Sequence, residues 1–297
     1  MKKRKKLSTH AANRIADILI YLFLAVVALS CLFPFIHVFS KSVSEEAYVI
    51  ANKVFLLPKG FSTDAYKKVL SDASILYSFY ISVIVTVLFT LLGMVITLCA
   101  AYPLSRKTLK GRKALTLFFM FTMYFTGGII PEYLLMNSLG LLDTMAVMIL
   151  PLAFSPYNLL IMKTSLQSSI PDSLIESAHL DGASEFTILT RIVIPLSKPI
   201  IATLSLFYAV GRWNAYQDAL FYIKQNVSLR PLQLKLYYLV VASTESFQTA
   251  VEGSAQLTNP EVLKAACIIF ATVPILCIYP FIQKYFVQGT MVGSVKE

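Results

Sequence analysis

The sequence predicts an all-α, polytopic membrane protein with six transmembrane helices. Of its 297 residues, 57% are hydrophobic and only 14% are charged, whereas soluble domains carry about 25% charged residues. Long stretches without Asp, Glu, Lys or Arg recur along the chain, for example between residues 73 and 105. A helix needs roughly 20 apolar residues to cross a bilayer, so these stretches are long enough to span one.

Six apolar stretches meet this length. The predicted spans cover about residues 15–39, 73–105, 113–131, 144–163, 199–223 and 262–286. Only the fifth carries charges in its middle, at Arg212 and Asp218. The predicted organisation is a single transmembrane domain at 15–286, a basic segment before it at 1–14, a loop within it at 164–198, and a tail after it at 287–297.

The distribution of Lys and Arg predicts which side of the membrane each segment faces. Six spans place both termini on one side, where the segments hold 16 Lys and Arg residues, and the opposite loops hold 9. Basic residues concentrate on the cytoplasmic side of membrane proteins. We therefore expect both termini and the loop at 164–198 in the cytoplasm. The same bias accounts for the net charge of +10 without a nucleic-acid partner.

The loop at 164–198 has the pattern of two short helices separated by a turn. Pro171 suits the first position of a helix, and Asp172 favours its positive end. Gly182 can adopt the left-handed conformation that ends a helix, and Ser184 can cap the next one. A compact helical loop suits docking to a partner protein, although an ordinary amphipathic surface connection would have the same pattern.

Three segments of this loop resemble the EAA motif of ABC importer permeases. They are Glu176-Ser177-Ala178, Asp181-Gly182-Ala183 and Ile192-Val193-Ile194-Pro195. Glu, Gly and Pro all have the spacing of the motif. Ser177 departs from it, because Ala is usual there, but both side chains are small. The resemblance identifies the chain as similar to the membrane-spanning subunits of these importers.

The resemblance covers nearly the whole chain and includes residues 127–131, 208–214, 279–286 and 289–296. These segments are similar to carbohydrate-uptake permeases, among them the maltose-type G subunit and permeases for oligosaccharides and polysaccharide fragments. The resemblance implies a subunit of the bacterial cell membrane that imports a carbohydrate. It also implies four kinds of partner, namely a second homologous permease in a heterodimer, two cytoplasmic ATPase subunits, an extracytoplasmic solute-binding protein and the sugar.

The resemblance also implies roles for individual residues of the loop. Its first helix, about residues 171–180, would be a coupling helix in a cleft of an ATPase subunit. There Glu176 would contact the ATPase, Ala178 would allow close approach, and Gly182 would make the turn. The residues assigned to energy coupling are Glu176, Ser177, Ala178, His179, Asp181, Gly182, Ala183 and Pro195.

The chain lacks the sequence features of an enzyme. It has no G-x-x-x-x-G-K-[ST] phosphate-binding loop, whose backbone N–H groups and Lys would hold nucleotide phosphates. Its three His residues are scattered at 10, 37 and 179 and suggest no catalytic triad or metal site. We expect no cofactor on this chain, with ATP and magnesium bound by the partner ATPases.

The fifth span is the predicted substrate pathway, because it supplies hydrogen-bonding groups and flat aromatic rings for a sugar. Residues four apart share a helix face, so Asn214 with Asp218 and Trp213 with Gln217 are predicted to form polar strips. Charged groups at membrane depth face a protein interior or an aqueous cavity. Arg212 and Asp218 therefore either line the pathway or pair with the second permease or with outside loops. The candidate pathway residues are Tyr208, Arg212, Trp213, Asn214, Tyr216, Gln217, Asp218 and, in the fourth span, Tyr157 and Asn158.

Two other classes of membrane protein compete with this interpretation. An ion-coupled secondary carrier would work alone, and it would show internal repeats, which we do not find. An intramembrane enzyme would need a pair of catalytic groups on facing spans, and none is visible. Transport that persists without an ATPase and collapses with an ion gradient would favour the carrier.

Overall fold

A computed structural model describes residues 3–250 and 260–294 of the chain. Residues 1 and 2 of the basic segment and residues 295–297 of the predicted tail lie outside the described residues. Within them every regular element is a helix, which confirms the predicted all-α fold. Besides α-helices, the described residues contain two 3-10 helices, Met145–Met148 and Val227–Leu229, and one π-helix, Leu189–Val193.

The described residues form fourteen α-helices. They are α1 Lys3–Ser42, α2 Glu46–Ile50, α3 Asp64–Ser71, α4 Ala73–Ser105, α5 Arg112–Tyr124, α6 Ile129–Ser138, α7 Pro156–Ser169, α8 Asp172–Leu180, α9 Glu185–Ile188, α10 Ile194–Leu196, α11 Lys198–Asn214, α12 Gln217–Tyr222, α13 Leu232–Ala250 and α14 Pro260–Ser294.

Three of the described helices are long and apolar enough to cross a membrane by themselves. They cover Asn13–Ser42, Ala73–Ser105 and Glu261–Pro280. Two helix pairs meet the same criteria only when the two members are taken together. The chain bends by 109° between α5 and α6, and by 82° between the helices on either side of Ser197. The described residues therefore contain three continuous candidate spans, or five if each bent pair is one span.

The helices differ from the predicted spans at three breaks. The stretch 113–131 is interrupted at residues 125–128, and 199–223 is interrupted at Ala215 and Tyr216. In the stretch 144–163, a 3-10 helix precedes α7, which begins only at Pro156. Ser155 caps α7 by accepting a hydrogen bond from the N–H of Asn158, and Pro156 suits the first helical position. A cap and a proline thus fix a later start than the apolar pattern suggests.

The chain divides into two compact units, of which the first comprises residues 1–72 and 239–270. In this unit the hydroxyls of Ser42 and Tyr66 lie 2.7 Å apart, so α3 is held against the end of α1. The ammonium of Lys41 lies 3.3 Å from Glu261, at the start of α14. These polar contacts tie the ends of three helices together.

The second unit comprises residues 73–238 and 271–297, and it contains most of the predicted functional residues. A buried core of this unit joins α4, α7 and α11 to the helices of the loop at 164–198. The buried side chains of this core are Ala101, Tyr102, Leu104, Leu159, Met162, Leu166, Ile170, Ile175, Ala178, Ile188, Val193 and Leu204. The loop is therefore packed onto the long helices of its own unit.

Candidate functional sites

The first helix of the loop, α8, ends in the turn that the sequence predicts. Gly182 has φ +80°, which confirms its left-handed conformation. Its N–H donates to His179 O, and the N–H of Ala183 donates to Ala178 O, each at 3.0 Å. This pair of bonds is a Schellman motif, which satisfies the last carbonyls of a helix. The helix begins one residue later than predicted, because Pro171 precedes it as the capping residue.

The apolar face of α8 packs onto the unit's own core. Ile175 is 5% exposed and Ala178 is 8% exposed, and both belong to the core that includes α4 and α7. Ala178 thus allows α8 to approach its own bundle closely, whereas the resemblance assigns it to close approach of a partner. Glu176, Ser177 and His179 lie on the exposed face.

An ion pair holds the start of α8. Asp172 Oδ2 lies 2.8 Å from the ammonium of Lys107, which follows the end of α4. The hydrogen bond from Lys107 holds the pKa of Asp172 below its ordinary value, and the positive charges of Lys107 and Arg106 add to the effect. Both side chains of the pair are largely exposed, so it contributes only a small stabilisation.

The remaining residues that were predicted to take part in coupling lie in the turn and beyond it. Asp181 is the exposed residue between the end of α8 and Gly182, and Ala183 is half-buried. Ser184 caps α9, since its side chain accepts a hydrogen bond from the N–H of Thr187, and this confirms the predicted cap. Pro195 lies exposed in α10, between the π-helix and the bend at Ser197.

A carboxylate that was not predicted connects the loop to α4. Glu185, the first residue of α9, accepts a hydrogen bond of 2.5 Å from the hydroxyl of Tyr102. Its other oxygen lies 3.3 Å from Nε2 of His179. Tyr102 is separated from Glu185 by 83 residues, so no local spacing in the sequence signals the contact.

The two charges of the predicted pathway, Arg212 and Asp218, bind each other. Nη1 and Nη2 of Arg212 donate to the two oxygens of Asp218 at 2.5 and 2.9 Å. Nη1 also donates to Met148 O at 3.0 Å. The side chains are 2% and 8% exposed, respectively. The pair therefore fixes α11, α12 and the 3-10 helix before α7 to one another.

The break between α11 and α12 corrects the predicted polar strips. Because α11 ends at Asn214 and α12 begins at Gln217, the pairs that were predicted to share a face lie on different helices. Ala215 has an extended conformation between them. The prediction assumed a continuous helix, and this assumption is wrong at Ala215 and Tyr216.

Two aromatic pathway candidates are buried in the packing of the second unit. Tyr208 is 4% exposed, and its hydroxyl lies 2.7 Å from Thr97 Oγ1 on α4. Trp213 is 6% exposed, its Nε1–H donates to Ala271 O at 3.0 Å, and its ring meets that of Phe79 edge to face. Both side chains join helices in this structure.

The other pathway candidates differ in exposure. Asn214, Gln217 and Tyr157 are exposed, the last at 56%. Tyr216 is half-buried and stacks on Tyr237 with 5.0 Å between ring centroids. Asn158 is only 6% exposed. Polar groups are thus available at the break itself and at the start of α7.

Two further residues with special geometry were not predicted. A Cβ added at Gly93 of α4 would lie 2.9 Å from Ala153 O and 3.0 Å from Tyr208, so only glycine fits between these groups. Asp143 has φ +56°, and its Oδ1 accepts three backbone N–H groups, from residues 224, 225 and 226. Neither position lies in a motif that the sequence makes visible.

Comparison with known proteins gives consistent matches over most of the chain. The family described as "Binding-protein-dependent transport system inner membrane component" matches residues 114–292. The polygalacturonan/rhamnogalacturonan transport system permease protein YtcP of Bacillus subtilis is 44% identical, over 96% of this chain and 99% of its own length. Protein LplC of the same organism is 43% identical, over 96% of both chains.

A solved structure agrees with the fold. It is described as a bacterial ABC transporter involved in the import of the acidic polysaccharide alginate. The chain that matches has a TM-score of 0.82 and 34% sequence identity, covering 93% of this chain and 98% of that one.

Proposed function

This chain belongs to the family of inner-membrane components of binding-protein-dependent transport systems, and on that premise we propose that it imports fragments of an acidic polysaccharide. In the proposed assembly it pairs with a second permease. Two cytoplasmic ATPase subunits bind ATP and magnesium, and an extracytoplasmic binding protein delivers the sugar. Both termini lie in the cytoplasm, as the Lys and Arg distribution favours.

The observation that carries the substrate class is the likeness to two systems whose described substrates are acidic. The 44% identical relative is described for polygalacturonan and rhamnogalacturonan, and the structure with a TM-score of 0.82 is described for alginate. Each of these polymers contains uronate sugars, whose carboxylates are negatively charged at neutral pH. A uronate oligosaccharide is therefore the proposed cargo.

The proposed site of energy coupling is the exposed face of α8 and the turn after it. Glu176 and Ser177 lie on the exposed face of α8. Two large apolar side chains of the loop are also exposed, Leu180 at the end of α8 at 89% and Phe186 in α9 at 74%. A surface that combines an acidic residue with exposed apolar side chains suits a groove on a partner protein, where burial of the apolar groups favours association.

The proposed substrate pathway passes the break between α11 and α12. Asn214 and Gln217, which flank the break, are exposed, as is Tyr157 at the start of α7. These amides can donate hydrogen bonds to hydroxyls and carboxylates, and an exposed ring can stack on a sugar. The buried ion pair of Arg212 and Asp218 would hold this break in position.

The test is ATP-dependent uptake by the complete transporter in vesicles. The four kinds of subunit are reconstituted together, and uptake of labelled trigalacturonate, an alginate trisaccharide and neutral maltotriose is measured with ATP and with a non-hydrolysable analogue. We expect uptake of at least one acidic trisaccharide only with ATP. Preferred uptake of maltotriose would overturn the substrate class, and uptake driven by an ion gradient without ATP would overturn the importer.

A charge reversal tests the coupling face separately. Glu176→Lys should lower both uptake and ATPase co-purification, because it would place a positive charge in the partner groove, while the amount of protein inserted in the membrane stays unchanged. Thr164→Ala is a matched control, since Thr164 is exposed and donates only to the carbonyl of Leu160 in its own helix. Wild-type uptake and co-purification by Glu176→Lys would contradict this assignment of α8.

A further inference from the structure

Both ends of α8 are attached to the same end of α4. At its start, Asp172 pairs with Lys107, two residues beyond the last residue of α4. At its end, His179 lies 3.3 Å from Glu185, and Glu185 accepts the hydrogen bond from Tyr102. Between these two attachments only Ile175 and Ala178 of α8 are buried.

The two attachments differ in how they reach α4. The side chains of Lys107 and Asp172 are 78% and 46% exposed, and those of His179 and Glu185 are 44% and 66% exposed, so each of these ion pairs contributes little by itself. Tyr102, in contrast, is 8% exposed, so packing fixes the position of its hydroxyl. A hydrogen bond from this hydroxyl to a carboxylate is charge-assisted and therefore roughly twice as strong as a neutral one.

The position of Glu185 makes it the meeting point of three elements. It begins α9, it contacts His179 in the last turn of α8 across the Gly182 turn, and it contacts Tyr102 near the end of α4. The guanidinium carbon of Arg106, one turn further along, lies 4.9 Å from the centroid of the Tyr102 ring. α4 in turn packs along α7 and α11 in the core of the second unit.

We propose that Glu185 is a positioning residue that makes α4 move with the coupling helix. The inference rests on the proposed function, in which the ATPases displace α8. Apolar contacts allow a helix to slide, whereas a hydrogen bond from the hydroxyl of a tyrosine that is itself packed in the core fixes its register. The link Tyr102–Glu185–His179 therefore transmits the displacement to α4, and through α4 to the pathway helices.

The experiment measures sugar transported per ATP hydrolysed in the reconstituted transporter with trigalacturonate or the alginate trisaccharide, whichever the wild type imports. Tyr102→Phe removes one oxygen and preserves the ring, so the fold is retained. We expect Tyr102→Phe and Glu185→Ala each to lower this ratio by about fivefold or more, the range of typical coupling effects. Glu185→Gln retains an acceptor for the Tyr102 hydroxyl and should lie between Glu185→Ala and the wild type.

A double variant and a control make the test specific. Tyr102→Phe combined with Glu185→Ala should be no worse than either alone, because the two residues act through one contact. Tyr80→Phe, a change at a tyrosine of α4 that is 57% exposed, should retain the wild-type ratio.

Three outcomes are decisive. A wild-type ratio in both Tyr102→Phe and Glu185→Ala would overturn the link. Loss of ATPase co-purification in these variants, with uptake and hydrolysis falling together, would also overturn it, since Glu185 would then act only in docking. A wild-type transporter without ATP-dependent uptake would instead overturn the proposed function, and the link with it.

Discussion

Arg212 and Asp218 form a two-point ion pair across the break between α11 and α12, with 2.5 Å from Nη1 to Oδ2 and 2.9 Å from Nη2 to Oδ1. Both side chains are almost entirely buried. A charge that loses its partner in such surroundings destabilises a protein by about 3–5 kcal/mol. The ion pair therefore holds the two helices at the break in a fixed arrangement. Removal of either side chain leaves the other as a buried charge without its partner.

The first prediction is that single and double replacements of this pair have opposite effects. Arg212→Met or Asp218→Leu alone should lower the free energy of unfolding by about 3–5 kcal/mol, whereas the double variant should recover most of that loss. Denaturant unfolding of the protein in detergent micelles measures this. If the double variant is as unstable as the sum of the singles, the pair does not act as a unit.

Uptake by the double variant then separates two roles of the pair. If the pair only fixes the break, the double variant should regain uptake together with stability. If Arg212 also contacts the sugar, the double variant should be stable but deficient in uptake. We expect the first result, because the guanidinium is 2% exposed and binds Asp218 and Met148 O.

The residues of the loop and of the fifth span explain why the local backbone structure of the loop could be predicted and that of the fifth span could not. The turn at Gly182 and the cap at Ser184 are local features, in which residue type alone determines the backbone conformation. The pairing of Arg212 with Asp218 depends on a helix break at Ala215 and Tyr216, where neither proline nor glycine marks an interruption. The contact of Tyr102 with Glu185 joins residues 83 positions apart and arises only from packing.

The second prediction concerns the turn after α8. Gly182→Ala should destabilise the turn by about 1–2 kcal/mol, because φ +80° is a left-handed conformation that a Cβ disfavours. Steric crowding adds nothing, since no atom of the described residues other than the immediate chain neighbours lies within 4 Å of the added carbon. Gly182→Pro should be more damaging, because proline fixes φ near −65° and has no N–H to donate to His179 O.

ATP-dependent uptake in vesicles checks this order. Wild type should exceed Gly182→Ala, which should exceed Gly182→Pro, with equal amounts of protein inserted in the membrane. Gly111→Ala is the control for a left-handed glycine, since Gly111 has φ +79° but lies before α5, outside the coupling loop. Equal uptake by Gly182→Pro and the wild type would mean that the turn is not needed.

The third prediction is that acid weakens the contact between Asp143 and residues 224–226. The hydrogen bond from the N–H of Asn226, with those of residues 225 and 224, holds the pKa of Asp143 below its ordinary value of 3.8. The unfolded state therefore binds a proton more readily than the folded state. The stabilisation is complete above pH 3.8 and is lost as the pH falls through the lower, folded pKa.

Thermal unfolding between pH 6 and pH 3 measures this effect. The midpoint of the wild type should fall further on acidification than that of Asp143→Asn, because asparagine retains an acceptor oxygen at the same place but has no charge to lose. Parallel pH dependence of the two proteins would indicate that this carboxylate has the same pKa in the folded and unfolded states.

The fourth prediction concerns the close approach at Gly93. Gly93→Val should lower the free energy of unfolding by about 1–3 kcal/mol, the typical cost of overpacking, because its Cβ would meet Ala153 O at 2.9 Å and the ring of Tyr208 at 3.0 Å. The carbonyl belongs to the backbone, and Tyr208 is held through its hydroxyl by Thr97 and the N–H of Ser155. Tyr208 therefore cannot move aside without breaking a hydrogen bond.

Gly211→Ala is the matched control for Gly93→Val, because Gly211 lies within α11 and, among the described residues, no atom outside the adjacent helix backbone is within 4 Å of an added Cβ. Alanine is favoured over glycine in a helix by about 0.5–1 kcal/mol, so Gly211→Ala should leave the unfolding free energy unchanged or raise it. In the same denaturant titration, Gly93→Val should therefore lower the free energy of unfolding, whereas Gly211→Ala should not. A loss of stability in both variants would contradict this explanation. It would mean that any side chain added at a helix glycine destabilises the protein, whether or not the site is packed against Ala153 and Tyr208.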